Sequence, residues 1–216
     1  MKKTILLLTA INLFGLSGYA QTPEAAPSPE TVSVSKPDNP QKAATPNANG
    51  YVRPSGNERL KRYLKSMFGP VALATRAAQA GFGTWTNSPE EWGDTWEGFG
   101  RRYASRTAGS IIKNSTMYGL DEVLKVDSNF YRSKKRDVGS RIKNALISPV
   151  TARRGDGSRT IGIPKLAGIY TSAIIASETW MPERYSWKNG VKAGTISLGF
   201  DVGWNLAKEF IFKKGK

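Results

Sequence analysis

The sequence predicts an all-α fold: a compact bundle of about five or six helices packed through Gly, Ala and Ser, with at most one small β-hairpin. Three observations carry this expectation. Apolar side chains in residues 57–212 recur at the three- and four-residue spacing of a helix. Helix punctuation is frequent, at Gly69-Pro70, Ser88-Pro89-Glu90-Glu91 and Ser148-Pro149. One Asp156-Gly157 pair between two short β-prone runs offers a single hairpin turn.

Residues 1–20 have the layout of a bacterial-type secretory signal peptide. Lys2 and Lys3 precede the apolar run Ile5-Leu6-Leu7-Leu8, and the small residues Gly18 and Ala20 suit cleavage before Gln21. Asn12 and Gly15 interrupt the run, which falls short of the roughly 20 apolar residues of a permanent span. Cleavage is expected in preference to retention as an anchor, with the chain exported to the periplasm or outer envelope. The chain contains no Cys, so neither a lipobox thiol nor a disulfide is available.

Residues 21–56 are rich in Pro, Ala, Ser, Thr and Asn and read as a disordered tether, since they offer too little apolar surface to offset ordering entropy. Residues 57–216 are long enough for one basic helical domain. The whole chain carries 32 Lys and Arg against 17 Asp and Glu. Setting aside Lys2, Lys3, Lys36, Lys42 and Arg53, and the acids Glu24, Glu30 and Asp38, leaves 27 against 14, a net charge of +13 on the domain.

Within the domain, Asn57 is expected to cap a helix carrying Leu60, Tyr63, Leu64 and Met67 until Gly69-Pro70 stops it. Pro70 then opens an Ala-rich helix through Ala80, ended by Gly81-Phe82-Gly83. Ser88-Pro89-Glu90-Glu91 supplies an N-cap hydroxyl, a first-turn proline and acids at the positive end of the dipole, so a long helix should start there and run to Gly119 or Leu124. At about 100° per residue this helix has three sides. Trp92, Trp96, Phe99, Tyr103, Asn114 and Met117 make an aromatic seam, Gly93, Gly100, Ala104, Ala108 and Ser115 a smooth packing face, and Arg102, Arg106 and Lys113 a cationic ridge.

Further on, Phe130-Tyr131-Arg132-Ser133-Lys134-Lys135-Arg136 combines aromatics with cations in a loop, and a helix from Val138 ends before Pro149. Residues 150–163 read as the hairpin, in whose turn Arg154-Gly155-Asp156 is treated as ordinary turn chemistry and not as an adhesion signal. Residues 166–177 carry no charge and describe a central helix, too short for a membrane span. A last helix over residues 189–212 places Glu209 on an apolar face, where a carboxylate is either paired with an Arg or raised in pKa as an acid; pairing is the preferred reading. Gly199 and Gly203 suggest close helix contact. The expected core is Trp92, Trp96, Phe99, Leu166, Ile174, Leu198, Val202 and Phe210.

Absences restrict the chemistry. With no His and no Cys, Ser-His-Asp and Cys-His nucleophiles, the usual zinc sites and haem attachment are excluded. No phosphate-binding GxxxxGK[ST] loop is present. Asp94, Glu97, Glu178, Glu183, Asp201 and Glu209 remain as free carboxylates without a motif, so no catalytic, cofactor-binding or metal-ligating residue is assigned.

The segments Asn87-Ser88-Pro89-Glu90-Glu91-Trp92-Gly93, Phe99-Gly100-Arg101-Arg102-Tyr103-Ala104-Ser105, Phe130-Tyr131-Arg132-Ser133, Ala152-Arg153-Arg154-Gly155-Asp156-Gly157-Ser158-Arg159 and Glu209-Phe210 resemble an uncharacterised family of secreted or envelope bacterial proteins. The likeness spans roughly residues 69–210. It implies a secreted helical domain and carries no activity.

The leading expectation is a non-enzymatic envelope protein that rests on an anionic lipid or lipopolysaccharide surface, or on an envelope protein. The candidate contacts are Arg101, Arg102, Arg106, Lys113, Arg132, Lys134, Lys135 and Arg136. The alternatives are a carboxylate-dependent envelope-modifying hydrolase and an integral membrane helical protein. Nucleic-acid binding ranks last because the chain reads as exported.

Overall fold

The computed structural model describes residues 51–211; the leader, the tether up to residue 50 and the expected final turn at Phe212 lie outside the described residues. The elements in order are α1 (Gly56–Phe68), α2 (Pro70–Trp85), α3 (Trp96–Val123), α4 (Val138–Ile147), β1 (Thr151–Arg153), β2 (Arg159–Ile161), α5 (Ile163–Thr179) and α6 (Trp187–Phe210). Short 3-10 turns occupy Glu90–Trp92 and Ser148–Val150. The fold is thus the mostly-α class with one small hairpin.

The longest helix organises the rest. At about 1.5 Å per residue the 28 residues of α3 extend roughly 42 Å, and α1, α2 and α5 all pack against it. α6 lies on α5 and α4. The hairpin pairs Thr151 with Ile161 and Arg153 with Arg159, and Arg153 also bridges to Asp127. Gly157 provides the positive φ of the turn, and Asp156 accepts from Ser158 N and Oγ, which closes it locally.

Several boundaries differ from expectation for identifiable reasons. Ser55, not Asn57, caps α1, in a capping box with Glu58. Residues 51–56, assigned to the tether by composition, pack into the domain: Tyr51 and Pro54 are buried, and Arg53 donates to the carbonyl of Asp121 at 3.1 Å. α2 continues through Gly81 and Gly83 to Trp85. Gly83 is needed there because a Cβ would stand 3.0 Å from Cδ of Arg102.

α3 does not begin at Ser88-Pro89. That signal forms only the 3-10 turn, which Gly93 breaks at φ +68°, and the helix starts at Trp96. A Cβ at Gly98 would collide with the carbonyls of Trp92 and Gly93, so a glycine is required where the chain folds back on itself.

Small residues set the close helix contacts, though not all those expected. A Cβ at Gly168 of α5 would sit 2.5 Å from the Lys113 carbonyl of α3, and one at Gly190 of α6 would sit 2.7 Å from Cα of Ile174. Gly194 faces the Tyr170 ring. A Cβ at Gly199 or Gly203 would meet nothing within 4 Å, so the pair expected to make contact does not.

The apolar core is thin. Among the described residues the buried hydrophobic side chains are Tyr51, Met67, Ala80, Val126, Ala145, Ala152 and Ile169. Trp96 and Phe210, expected inside, are exposed, whereas Trp92, Phe99, Leu166, Ile174, Leu198 and Val202 are half-buried. Among the described residues no helix is long and apolar enough to cross a membrane.

Candidate functional site

The expected cationic ridge of α3 is divided between interior and surface. Arg102 is 2% exposed and its guanidinium donates to the carbonyls of Ser88 at 2.9 Å, Gly93 at 2.6 Å and Pro89 at 2.7 Å. It holds the loop between α2 and α3 in place. Lys113 pairs with Asp201 of α6 at 3.8 Å. Arg106 and Arg101 remain exposed, the latter in an i,i+4 pair with Glu97 at 2.6 Å. Lys134, Lys135 and Arg136 lie exposed in the loop before α4, with Arg132 half-buried at its start. The eight residues therefore do not form one surface.

What the fold does present outward is apolar. In α2, Val71, Ala78, Phe82 and Trp85 fall within an arc of roughly 60° and all are exposed, Trp85 by 81%. The opposite face buries Arg76, Ala80 and Gly83, and Arg76 donates to the Met67 carbonyl. Large apolar side chains point away from the protein while small residues and a cation point into it, the reverse of an ordinary surface helix.

α6 repeats the inversion. Ile196, Phe200 and Trp204, spaced i, i+4, i+8, are exposed, while Gly190, Gly194, Asn205 and Glu209 are buried. In α1, Leu60, Leu64 and Phe68 share the same spacing and are exposed, beside the exposed cations Lys61 and Lys65. Phe82 meets Trp85 edge to face at 5.8 Å, and Trp96 meets Phe99 likewise at 5.7 Å. Phe99 lies over Gly81 of α2, so the start of α3, with Trp96 exposed by 85%, adjoins this aromatic surface. Helical periodicity could not reveal it, because periodicity locates an apolar face without saying whether that face turns inward.

A second feature is a cleft of about 350 Å³ lined by Trp92, Arg101, Ala104, Ser105, Ala108 and Trp180. Trp180 Nε1 donates to Ser105 Oγ at 2.8 Å. The smooth face of α3 is therefore open beside this cleft, instead of being covered by a helix at Ala104.

Two groups of buried polar side chains are joined through Asp127 and Asp121. Asp127 accepts from the phenols of Tyr51 at 2.8 Å and Tyr131 at 2.5 Å, locking residue 51 onto the domain. Burial, together with donation to this carboxylate, raises both phenols, Tyr131 to about 12. Nearby, Asp121 accepts from Ser128 N and Oγ, yet burial pushes its carboxyl up to about 6. The adjoining pocket, lined in part by Arg59, Tyr63 and Asn114, is about 50 Å³, room for one or two waters.

Asp121 gives a pH dependence of defined sign. Its folded pKa lies above the ordinary carboxylate value of 3.8, so the folded state holds the proton more tightly. The protonated form contributes fully below pH 4, and that contribution is lost as pH rises through about 6, roughly 3 kcal/mol in all. Urea titrations should show stability falling across this window, and Asp121→Asn should flatten the slope. An unchanged slope in the variant would remove Asp121 as its source.

Glu209 resolves the choice left open by sequence. Its side chain is 1% exposed and accepts from Ser133 N at 2.8 Å, Asn144 Nδ2 at 2.6 Å and Arg141 Nε at 3.4 Å. Arg141 also stacks on Phe210 at 4.2 Å. The carboxylate is sealed and paired, without access to a substrate. Among the described residues no group of three or more His, Cys, Asp or Glu is placed to hold a metal ion.

No family model, curated protein or solved structure matches the chain.

Proposed function

We propose that this chain is a non-enzymatic, exported envelope protein that docks on an anionic lipid surface through the apolar and aromatic face of α1, α2 and the start of α3. The observation that carries this reading is the inverted burial of α2, where Phe82 and Trp85 face out and Arg76, Ala80 and Gly83 face in. A free monomer in water seldom leaves so many aromatic and aliphatic side chains uncovered on neighbouring helices. Trp is well suited to the headgroup level of a bilayer. The flanking Lys61 and Lys65 match an anionic surface, each contributing on the order of 1 kcal/mol when close to it. The architecture fits a helix pair lying in the interface plane better than a span.

The test is co-sedimentation of the chain with vesicles of anionic and of neutral phospholipid, at low and at high salt. Binding should favour anionic vesicles and weaken with salt without vanishing, because the apolar part is not screened. Phe82→Ala with Trp85→Ala removes two exposed side chains from the contact. At roughly 1.5 kcal/mol or more each, partitioning should fall about 100-fold with the circular dichroism spectrum unchanged. Equal binding by this variant, or self-association in place of lipid binding, would overturn the proposal.

A further inference from the structure

Between α3, α5 and α6, two lysines pair with one carboxylate and a third lies nearby. Asp201 of α6 pairs with Lys165 at 3.2 Å and Lys113 at 3.8 Å. Lys208 lies two helical turns along the same face of α6, near enough to both Asp201 and Lys165 to feel their charges. Asn205 stands between Asp201 and Lys208 at helical spacing; it is 3% exposed, and its Nδ2 has no hydrogen-bond partner.

The cluster has more positive than negative charge and an unused buried donor. Two ammonium groups pair with the one carboxylate, and the third, that of Lys208, lies over the Phe130 ring at 5.4 Å and the Trp204 ring at 5.8 Å. Burial, with the charge of Lys165 added, holds Lys113 and Lys208 below the ordinary lysine range despite Asp201. A buried amide N–H without a partner costs about 1–3 kcal/mol. Both deficits have one remedy, an anion with several acceptor oxygens. Access exists because the side chains of Lys113 and Asp201 are each about a quarter exposed.

We infer that Lys113, Lys165, Lys208 and Asn205 form a seat for a phosphate group, with Asp201 holding two of the lysines in position. Lysine acts on phosphate as a point charge with rotatable donors, so it tolerates either a free phosphate or the phosphate of a lipid headgroup. This site does not depend on the lipid-docking reading, since it uses α5, α6 and Lys113 in the middle of α3, none of them in the apolar docking face, and binds the anion alone.

The experiment titrates the full chain with inorganic phosphate by calorimetry, with chloride at equal ionic strength as the control, and separately with vesicles containing phosphatidic acid. Asn205→Leu is the diagnostic variant. It removes the unpartnered donor without touching a lysine, so it should fold at least as stably as the parent. Saturable phosphate binding that weakens tenfold or more in Asn205→Leu supports the seat and a free-phosphate source. Binding confined to phosphatidic acid vesicles, with the same dependence on Asn205, supports the seat and a headgroup source. No saturable binding of either probe, or affinities indifferent to Asn205, would overturn it. A variant that misfolds is replaced by Lys208→Met, for which the same loss is expected.

Discussion

Arg102→Ala should destabilise the domain by roughly 3–6 kcal/mol, because three loop carbonyls lose their donor at once and each buried, unpaired polar group costs about 1–3 kcal/mol. The side chain reaches across from α3 to Ser88, Pro89 and Gly93 and is tightly enclosed, with Gly83 and Gly98 both kept free of a Cβ beside it. Arg102→Lys should recover only part of the loss, since an ammonium cannot reproduce the planar fork that serves three acceptors. Urea denaturation measures both. A cost below 1 kcal/mol for Arg102→Ala would mean that the loop is held by something else. Charge reversal at this position is therefore a test of folding and not of surface binding.

Glu209→Ala should cost a further comparable amount, roughly 3–5 kcal/mol, as expected when one partner of a buried, hydrogen-bonded charge pair is removed. Ser133 N, Asn144 Nδ2 and Arg141 would all lose their acceptor. Glu209→Gln separates structure from chemistry. Its Oε1 can still accept from Ser133 and Asn144, and Arg141, which is partly exposed, can turn to solvent, so the loss should be only about 1–2 kcal/mol. If Glu209 served as an acid in hydrolysis, Glu209→Gln would instead abolish an activity while leaving stability nearly intact. Thermal and urea unfolding of the two variants, side by side, distinguish these outcomes.

Local chemistry was legible where a residue acts on its own backbone. Gly69-Pro70 divides α1 from α2, and Asp156-Gly157 turns the hairpin as its residues require. Ser88-Pro89-Glu90-Glu91 misled because its continuation depends on Gly93 and on an arginine 13 or 14 residues later. Neither is a local propensity.

The orientation of the helices was less legible. α6 carries apolar residues on most of its circumference, so Val202, Phe200 and Trp204 competed for the interior on equal terms by periodicity alone. The close approach at Gly190 and Gly194 decides the matter: helices pack where side chains are small, and the large ones are left outside. Such packing is familiar from helices whose surroundings are as apolar as their side chains. The same logic explains Arg102 and Glu209, which are charged yet buried because neighbouring carbonyls, amides and an arginine satisfy them.

The chain contains no cysteine, so single nitroxide labels can be placed without removing native thiols. Leu64→Cys puts a label on the exposed apolar face of α1, and Ser66→Cys puts one on roughly the opposite side of the same helix. With anionic vesicles present, the account predicts that the label at residue 64 becomes accessible to oxygen and shielded from a water-soluble nickel chelate, while the label at residue 66 stays aqueous. Two equally aqueous labels on vesicle-bound protein would contradict docking through this face.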